Sequence, residues 1–236
     1  PFFFYFPMAL VHSPFVHPPE LEELARTNYI DDLDKKTAAF GHMITYMDRI
    51  IGNILAKLRE RQLDQNTLVL FTGDNGTHRS ITSHLPGLKI AGGKGTMTEA
   101  GSRVPFLAWW PGKIRPGVRD EFFCLVDVLP TITSLAGIAL NRKVDGMDLS
   151  HNFIGGEGAN REHVLINHGK GYFVRDKRFR LNQDGKLYDT PVSSDKERYG
   201  EAVTKDPQYD DHRQRLQARL DAFMAIPTEY QQPGSN

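Results

Sequence analysis

One cysteine in 236 residues, Cys124, excludes an internal disulfide, so no covalent staple can substitute for a packed core. Its apolar setting, Phe122-Phe123-Cys124-Leu125-Val126, predicts a buried structural thiol rather than a reactive one. Apolar runs are short, and none approaches the roughly 20 residues needed to span a bilayer. The opening stretch, Pro1 to Val11, is apolar but lacks the basic leader and small-residue cleavage site of a signal peptide. Excess charge is missing too: 29 basic residues balance 29 acidic ones, which leaves no broad field to attract nucleic acid or an anionic membrane. The histidines show no zinc-ligand spacing, and the glycines fit neither a Walker loop nor a dinucleotide turn. Internal repeats and low-complexity tracts are also absent.

What remains is an ordinary globular composition, 39% hydrophobic, large enough to bury a core. A chain that opens on an apolar strand with no methionine or polar leader is expected to be an excised or processed portion of a longer product. Phe2 to Val11 reads as an interior strand of a parallel sheet, ended by the proline-limited loop His12 to Pro19. Asp34 and Thr37 are candidate helix caps before the stripe Phe40, Met43, Ile44, Met47, Ile50, Ile51, Ile54, Leu55 and Leu58. A turn at Asp64-Gln65-Asn66 precedes a second strand, Thr67 to Phe71, and Val104 to Trp110 makes a third before Pro111-Gly112. This order of elements predicts a layered α/β domain with these strands in a mostly parallel sheet.

Asp127 can cap a helix through Val128, Leu129, Ile132 and Leu135, with Gly137 past its end. The polar, glycine-rich run from Asn141 to Asn160 suggests a boundary, placed at 150/151. Four short strands follow, around 163–167, 172–175, 179–182 and 187–189, with Asp184-Gly185 turning between the last two. They predict a small antiparallel sheet, closed by a helix from Asp210 to about Met224 with Leu216, Leu220, Phe223 and Met224 inward.

The chemistry concentrates in the long polar stretch from Gly73 to Ser102, beyond the carboxyl end of the second strand, where α/β sheets place ligands. Asp74 and Asn75 offer two hard oxygen donors of the kind that calcium or magnesium accepts, although two ligands cannot complete either shell. The same residues can instead form an Asp-Asn-Gly turn bonded to its own backbone. Lys94, in Gly92-Gly93-Lys94-Gly95-Thr96, can reach a sulfate or phosphate oxygen from a loop freed of side-chain bulk, or can simply be solvated. His12 can contact an ester oxygen or assist a leaving group, or serve as a loop cap. His17, His78 and His84 read as rim or surface residues, and Arg103 as a loop anchor with Glu99 as its mate.

The ordered set of motifs resembles the later part of the sulfatase family, within the alkaline-phosphatase-like superfamily. It comprises Pro1-Phe2-Phe3-Phe4-Tyr5 through His12, Asn66 through Thr72-Gly73-Asp74-Asn75-Gly76, Gly93-Lys94-Gly95-Thr96 through Arg103-Val104-Pro105, and Trp110-Pro111-Gly112. Asp127 to Gly137 and Lys186-Leu187-Tyr188-Asp189 also match, so that the resemblance covers nearly the whole chain. It implies an α/β fold: a partial alkaline-phosphatase-like layered sheet with a small C-terminal antiparallel sheet and terminal helix. Residues 1–150 would be a partial catalytic domain and 151–236 a C-terminal subdomain.

The same resemblance implies that Asp74 and Asn75 ligate calcium, that Lys94 binds the sulfate group, and that His12 contacts sulfate on the leaving-group side. The nucleophile would be formylglycine hydrate, made in a Cys/Ser-x-Pro-x-Arg motif that this sequence does not contain, and Cys124 does not replace it. The expected function is therefore that of part of a sulfuric-ester hydrolase, inactive as the isolated chain, with a sulfated small molecule or carbohydrate as partner. A phosphoesterase or phosphonate hydrolase, or a non-catalytic binding module, is the alternative. Self-association through uncovered apolar surface is expected, and the compartment stays open, the family's settings being periplasmic, extracellular or lysosomal. Ala100 stands where the family often has glycine.

Overall fold

The apolar stripe past Lys36 folds as helix α1, Leu33–Glu60, with Asp34 in its first turn and Lys57 and Arg59 in its last, as the helix dipole favours. Thr37 is not a cap: it lies one turn inside, and its hydroxyl donates to the Leu33 carbonyl at 3.0 Å. The computed structural model describes residues 1–21, 33–169, 171–190, 201–203 and 205–225. Two compact units divide it at Pro111/Gly112. The 150/151 partition taken from composition is a separate proposal about domains.

In the first unit, Ala39, Phe40 and Met43 of α1 meet Phe15 and Ile81 in a buried cluster, with Leu10 and Val11 packed on it. Phe15 and Phe40 touch edge to face, their centroids 5.8 Å apart. Strands β1 (Val69–Thr72) and β4 (Phe106–Trp109) pair antiparallel, Val69 opposite Trp109 and Thr72 opposite Phe106. This corrects the expected parallel pairing. Periodicity reports burial, not direction, and the intervening chain folds back at one end of the pair instead of crossing over the sheet.

That intervening stretch, expected as loop, contains a hairpin of β2 (Thr82–Leu85) and β3 (Leu88–Ala91) and the one-turn helix α2 (Glu99–Ser102). The hairpin turns at Pro86-Gly87, with Gly87 at φ +77°. Phe2 to Val11 is not a strand either. Phe3 is 80% and Tyr5 75% exposed, and the chain turns at Leu10–Val11. An apolar run states a demand for burial, but a strand also needs a neighbour to bond, and among the described residues none pairs with it.

In the second unit the expected antiparallel sheet is present, ordered β5 (Val164–His168), β6 (Gly171–Arg175), β7 (Phe179–Asn182), β8 (Leu187–Asp189) and β9 (Glu201–Ala202). Phe179 and Leu181 of β7 point to one face, where Leu216 and Leu220 of α5 (Asp210–Met224) close the core. Met224, expected inward, is 49% exposed at the helix end. Arg180 lies on the other face between the rings of Phe173 and Tyr188, 5.5 and 4.6 Å from their centroids.

Asp127 occupies the position before the helix, but its side chain does not cap it. It ends a 3₁₀ turn, Leu125–Asp127, ahead of α3 (Val128–Leu135), and its carboxylate is fully buried. Oδ2 accepts from Cys124 N at 2.9 Å and Arg161 Nε at 2.7 Å, while Oδ1 accepts from Met147 N at 2.8 Å and from Arg161 Nη2. Burial works against the Arg161 charge, but Asp127 outweighs it and holds the guanidinium above its ordinary pKa. Gly146 admits this approach, since a Cβ there would sit 1.9 Å from the Val126 carbonyl oxygen. Within the 141–160 stretch, which holds the short helix α4 (His151–Ile154), Leu149 is buried and its N–H donates to the Thr131 hydroxyl of α3 at 3.1 Å. Cys124 itself is half-buried rather than enclosed. Replacing Asp127 with alanine leaves Arg161 and two N–H groups without their acceptor, so a loss of roughly 3–5 kcal/mol is expected in chemical denaturation. A change below about 1 kcal/mol would contradict the role given to this carboxylate.

Candidate functional site

The turn that leaves β1 presents Asp74 exposed and Asn75 half-buried. Asn75 Nδ2 donates to Asp74 Oδ2 at 2.6 Å, which joins carboxylate and carboxamide into one polar unit with hard oxygen donors. Among the described residues no group of three or more His, Cys, Asp or Glu side chains is arranged for a metal ion. The donor chemistry fits a hard cation, and the pair amounts to part of a shell.

The ground beneath this pair is made of backbone. Gly76 N donates to the Gly101 carbonyl at 2.9 Å, and a Cβ on Gly76 would fall 1.9 Å from the Ala100 oxygen. Gly92 N donates to the Ile81 carbonyl at 2.7 Å, and its own Cβ would meet the His78 oxygen at 2.0 Å. On Gly93 a Cβ would lie 2.6 Å from the Ala100 methyl, so the alanine that departs from the family pattern fills the space beside a residue that must stay glycine. Thr96 Oγ1 donates to the Gly93 carbonyl at 2.6 Å and closes the loop around Lys94.

Lys94 is fixed through its main chain. Its N–H donates to the Thr77 carbonyl at 2.9 Å, two residues beyond Asn75. Arg79 Nε donates to the Lys94 carbonyl at 2.9 Å and Nη2 to the Gly95 carbonyl at 2.6 Å. Neither Thr77 nor Arg79 was singled out by the sequence reading. The ordered Asp-Asn-Gly and Gly-Lys-Gly motifs mark the two loops, but no sequence period announces the bonds that join them.

His12 is exposed in the turn after Ala9, its N–H bonded to the Ala9 carbonyl at 2.8 Å. Nδ1 lies 2.7 Å from the Ser13 carbonyl, which can only accept, so Nδ1 carries the proton of that bond. Phe15, three residues on, meets the His78 ring edge to face at 5.5 Å between centroids. That contact and the Phe15–Ile81 cluster put the His12 loop beside the segment that holds Lys94.

His78 is exposed, its Nδ1 accepting from Ser80 N at 3.2 Å. His17 is bonded, Nδ1 to Nδ1, with His42 of α1 at 2.9 Å. His84 pairs with Lys89 across the hairpin. The expected Arg103–Glu99 partnership is a main-chain bond, Arg103 N to the Glu99 carbonyl at 2.8 Å.

A sequence profile of the sulfatase family matches residues 1–138, more than half of the chain. The chain belongs to the sulfatase family. It is 42% identical over 119 residues to human (Homo sapiens) arylsulfatase A, an alignment that covers 49% of this chain and 23% of that protein. Among solved structures it is similar to a Bacteroides thetaiotaomicron protein from a locus for glycosaminoglycan metabolism, with a TM-score of 0.67 and 22% identity, over 90% of this chain and 48% of that one. The phosphonate monoester hydrolase of Silicibacter pomeroyi superposes with a TM-score of 0.62 and 21% identity, over 81% and 41% of the two chains. At these identities the superpositions show the shared fold. The chain spans about a quarter of the curated relative and under half of either solved chain.

Two outcomes test the packing of this family loop. Gly76→Ala should destabilise the protein by about 1–3 kcal/mol or more, because a methyl there strikes backbone. Gly52→Ala on α1, where nothing lies within 4 Å, should stabilise it by roughly 0.5–1 kcal/mol. Equal effects in chemical denaturation would count against the close approach.

Acidification gives the second test. Burial, then the neighbouring His42, push His17 below the usual histidine range; burial, then Arg219 and Arg161, push His163 the same way. The unfolded chain then binds protons more readily than the folded one, so stability fully present above roughly pH 6.5 is lost progressively as pH falls below that value and through the lowered folded-state range. The melting temperature should drop from pH 7.5 to 5.5, and less so in His17→Gln. A rise on acidification would reverse the assigned sign.

Proposed function

We propose that this chain supplies the later part of a sulfuric-ester hydrolase in which Lys94 binds the sulfuryl group, His12 serves the leaving-group side, and Asp74 and Asn75 contribute to a calcium site. The observation that carries this reading is the lock between the two motif loops: the Lys94 N–H on the Thr77 carbonyl, beside Gly76 on Gly101. It ties an ammonium-bearing loop to the segment that bears the oxygen ligands, an arrangement suited to an anion held between cation and lysine.

Calcium, when bound, would supply fixed positive charge opposite the sulfuryl oxygens. Lys94 adds a point charge that grows in value as negative charge collects on the transferred group. His12, whose Nδ1 donates to the Ser13 carbonyl, would act on the ester oxygen as an imidazolium: Nε2 gives up its proton to the departing oxygen and the ring is left neutral with its remaining proton on Nδ1. The nucleophile is proposed to be formylglycine hydrate on a residue outside this chain, and the substrate a sulfated small molecule or carbohydrate. Phosphonate ester hydrolysis is the second reading, favoured by the shared fold of the S. pomeroyi enzyme.

Steady-state assays with an activated aryl sulfate, on the protein that joins this chain to a Cys/Ser-x-Pro-x-Arg segment, decide the matter. Lys94→Ala should lower turnover about 10²–10³-fold, as loss of a charge-stabilising donor does. His12→Ala should cost about 10²–10⁴-fold, chiefly on poor leaving groups. Asp74→Ala should be severe and only partly relieved by saturating calcium. Near-normal turnover in all three variants, or robust turnover by the 236-residue chain alone, would defeat the proposal. Faster hydrolysis of a phosphonate monoester than of the sulfate would favour the second reading.

A further inference from the structure

We infer that Arg79 is a positioning residue for Lys94, acting through the Lys94 main chain; the inference rests on the proposed sulfate-binding role of that lysine. The planar guanidinium spans two successive carbonyls, Nε to Lys94 at 2.9 Å and Nη2 to Gly95 at 2.6 Å. Two donors in a rigid fork fix both the place and the plane of what they bind, which a single ammonium cannot do. Gly95 sits at φ +73°, a left-handed conformation open to glycine, and its carbonyl is the one Nη2 takes. With the Lys94 N–H on Thr77, the lysine's peptide frame is held on both sides by residues 77 and 79.

The consequence lies in the side chain. Lysine carries its charge on a flexible four-carbon stem, so the ammonium is placed only as well as its Cα. Arg79 is five residues beyond Asp74, so the same short segment sets both the oxygen ligands and the lysine frame. Freeing the 94–95 carbonyls lets the lysine drift relative to Asp74 and Asn75. A misplacement near 1 Å costs on the order of 100-fold in a reaction that depends on orientation.

A double-mutant cycle separates this role from general support of the loop. In the sulfatase proposed to contain this chain, Arg79→Ala should lower kcat/KM for an aryl sulfate by about 10- to 100-fold. In a Lys94→Ala background the same change should cost less than about twofold, because the group it positions is gone. Arg79→Lys should restore only part of the loss. Millimolar guanidinium ion should raise the activity of Arg79→Ala but not of Lys94→Ala.

Full activity in Arg79→Ala alongside a damaged Lys94→Ala would overturn the inference while leaving the proposed function standing. So would an equal cost of Arg79→Ala with and without Lys94, which marks simple loss of loop stability. If Lys94→Ala is itself neutral, the sulfate-binding reading falls and the inference with it. Should Arg79→Ala not fold, Arg79→Lys carries the same cycle: a loss that vanishes in the Lys94→Ala background supports positioning, and one that persists rejects it.

Discussion

The contact on which the first unit depends is the approach of one stretch of main chain to another with no side chain between them. Gly76 lies against Ala100 and Gly101, Gly92 against His78, and Gly93 against Ala100, each closer than a Cβ allows. Peptide groups that meet this closely satisfy one another's hydrogen bonds. A 30-residue polar stretch can then hold a defined shape with few apolar contacts of its own. Ile81 anchors this stretch in the cluster around Phe15 and Phe40, and His78 touches Phe15 as well. Loops built in this way hold the side chains they carry to a narrow range of positions, as a site for a charged transition state requires.

The two units use charge in opposite ways. In the second, Asp127 is sealed from water and answered on every side by Cys124, Met147 and Arg161. A carboxylate so engaged organises structure and has nothing left to offer a ligand. Asp176 is similar: burial opposes its charge, but the N–H groups of Phe179 and Arg178, and Arg215, hold its pKa below the usual range and join the β6–β7 turn to α5. Asp74 in the first unit stays exposed and accepts from the neighbouring Asn75 amide. That contrast separates the carboxylate available for chemistry from those already committed to the fold.

Much of this was legible in the sequence, for identifiable reasons. The stripe from Phe40 to Leu58, the strand at 179–182 and the terminal helix from Asp210 were clear because periodicity is a local property. The antiparallel pairing of β1 with β4 was not, since direction depends on how residues 73–105 return. The hairpin at Pro86-Gly87 left a turn signal, but its four-residue strands are too short to show a period. Phe2 to Val11 misled because hydrophobicity alone does not supply a neighbouring strand. For the candidate site, the motifs led to the proposal of Asp74, Asn75, Lys94 and His12, whereas Arg79, which bonds to two carbonyls, is invisible to any pattern of side chains.

The same distinction explains why the family pattern is so rich in glycine where chemistry is proposed. Asp74 and Lys94 are separated by 19 intervening residues, yet Thr77 and the Lys94 amide bring their loops within one hydrogen bond of each other. A side-chain bridge between the loops would place bulk where a ligand must enter, and its rotamers would add slack. A peptide-to-peptide bond has neither cost, but it demands residues without a Cβ at the crossing points, and Gly76, Gly92 and Gly93 meet that demand. Where a side chain does take part, it is an arginine whose rigid fork holds main-chain oxygens from the rim. Geometry at the candidate site is thereby delegated largely to the backbone.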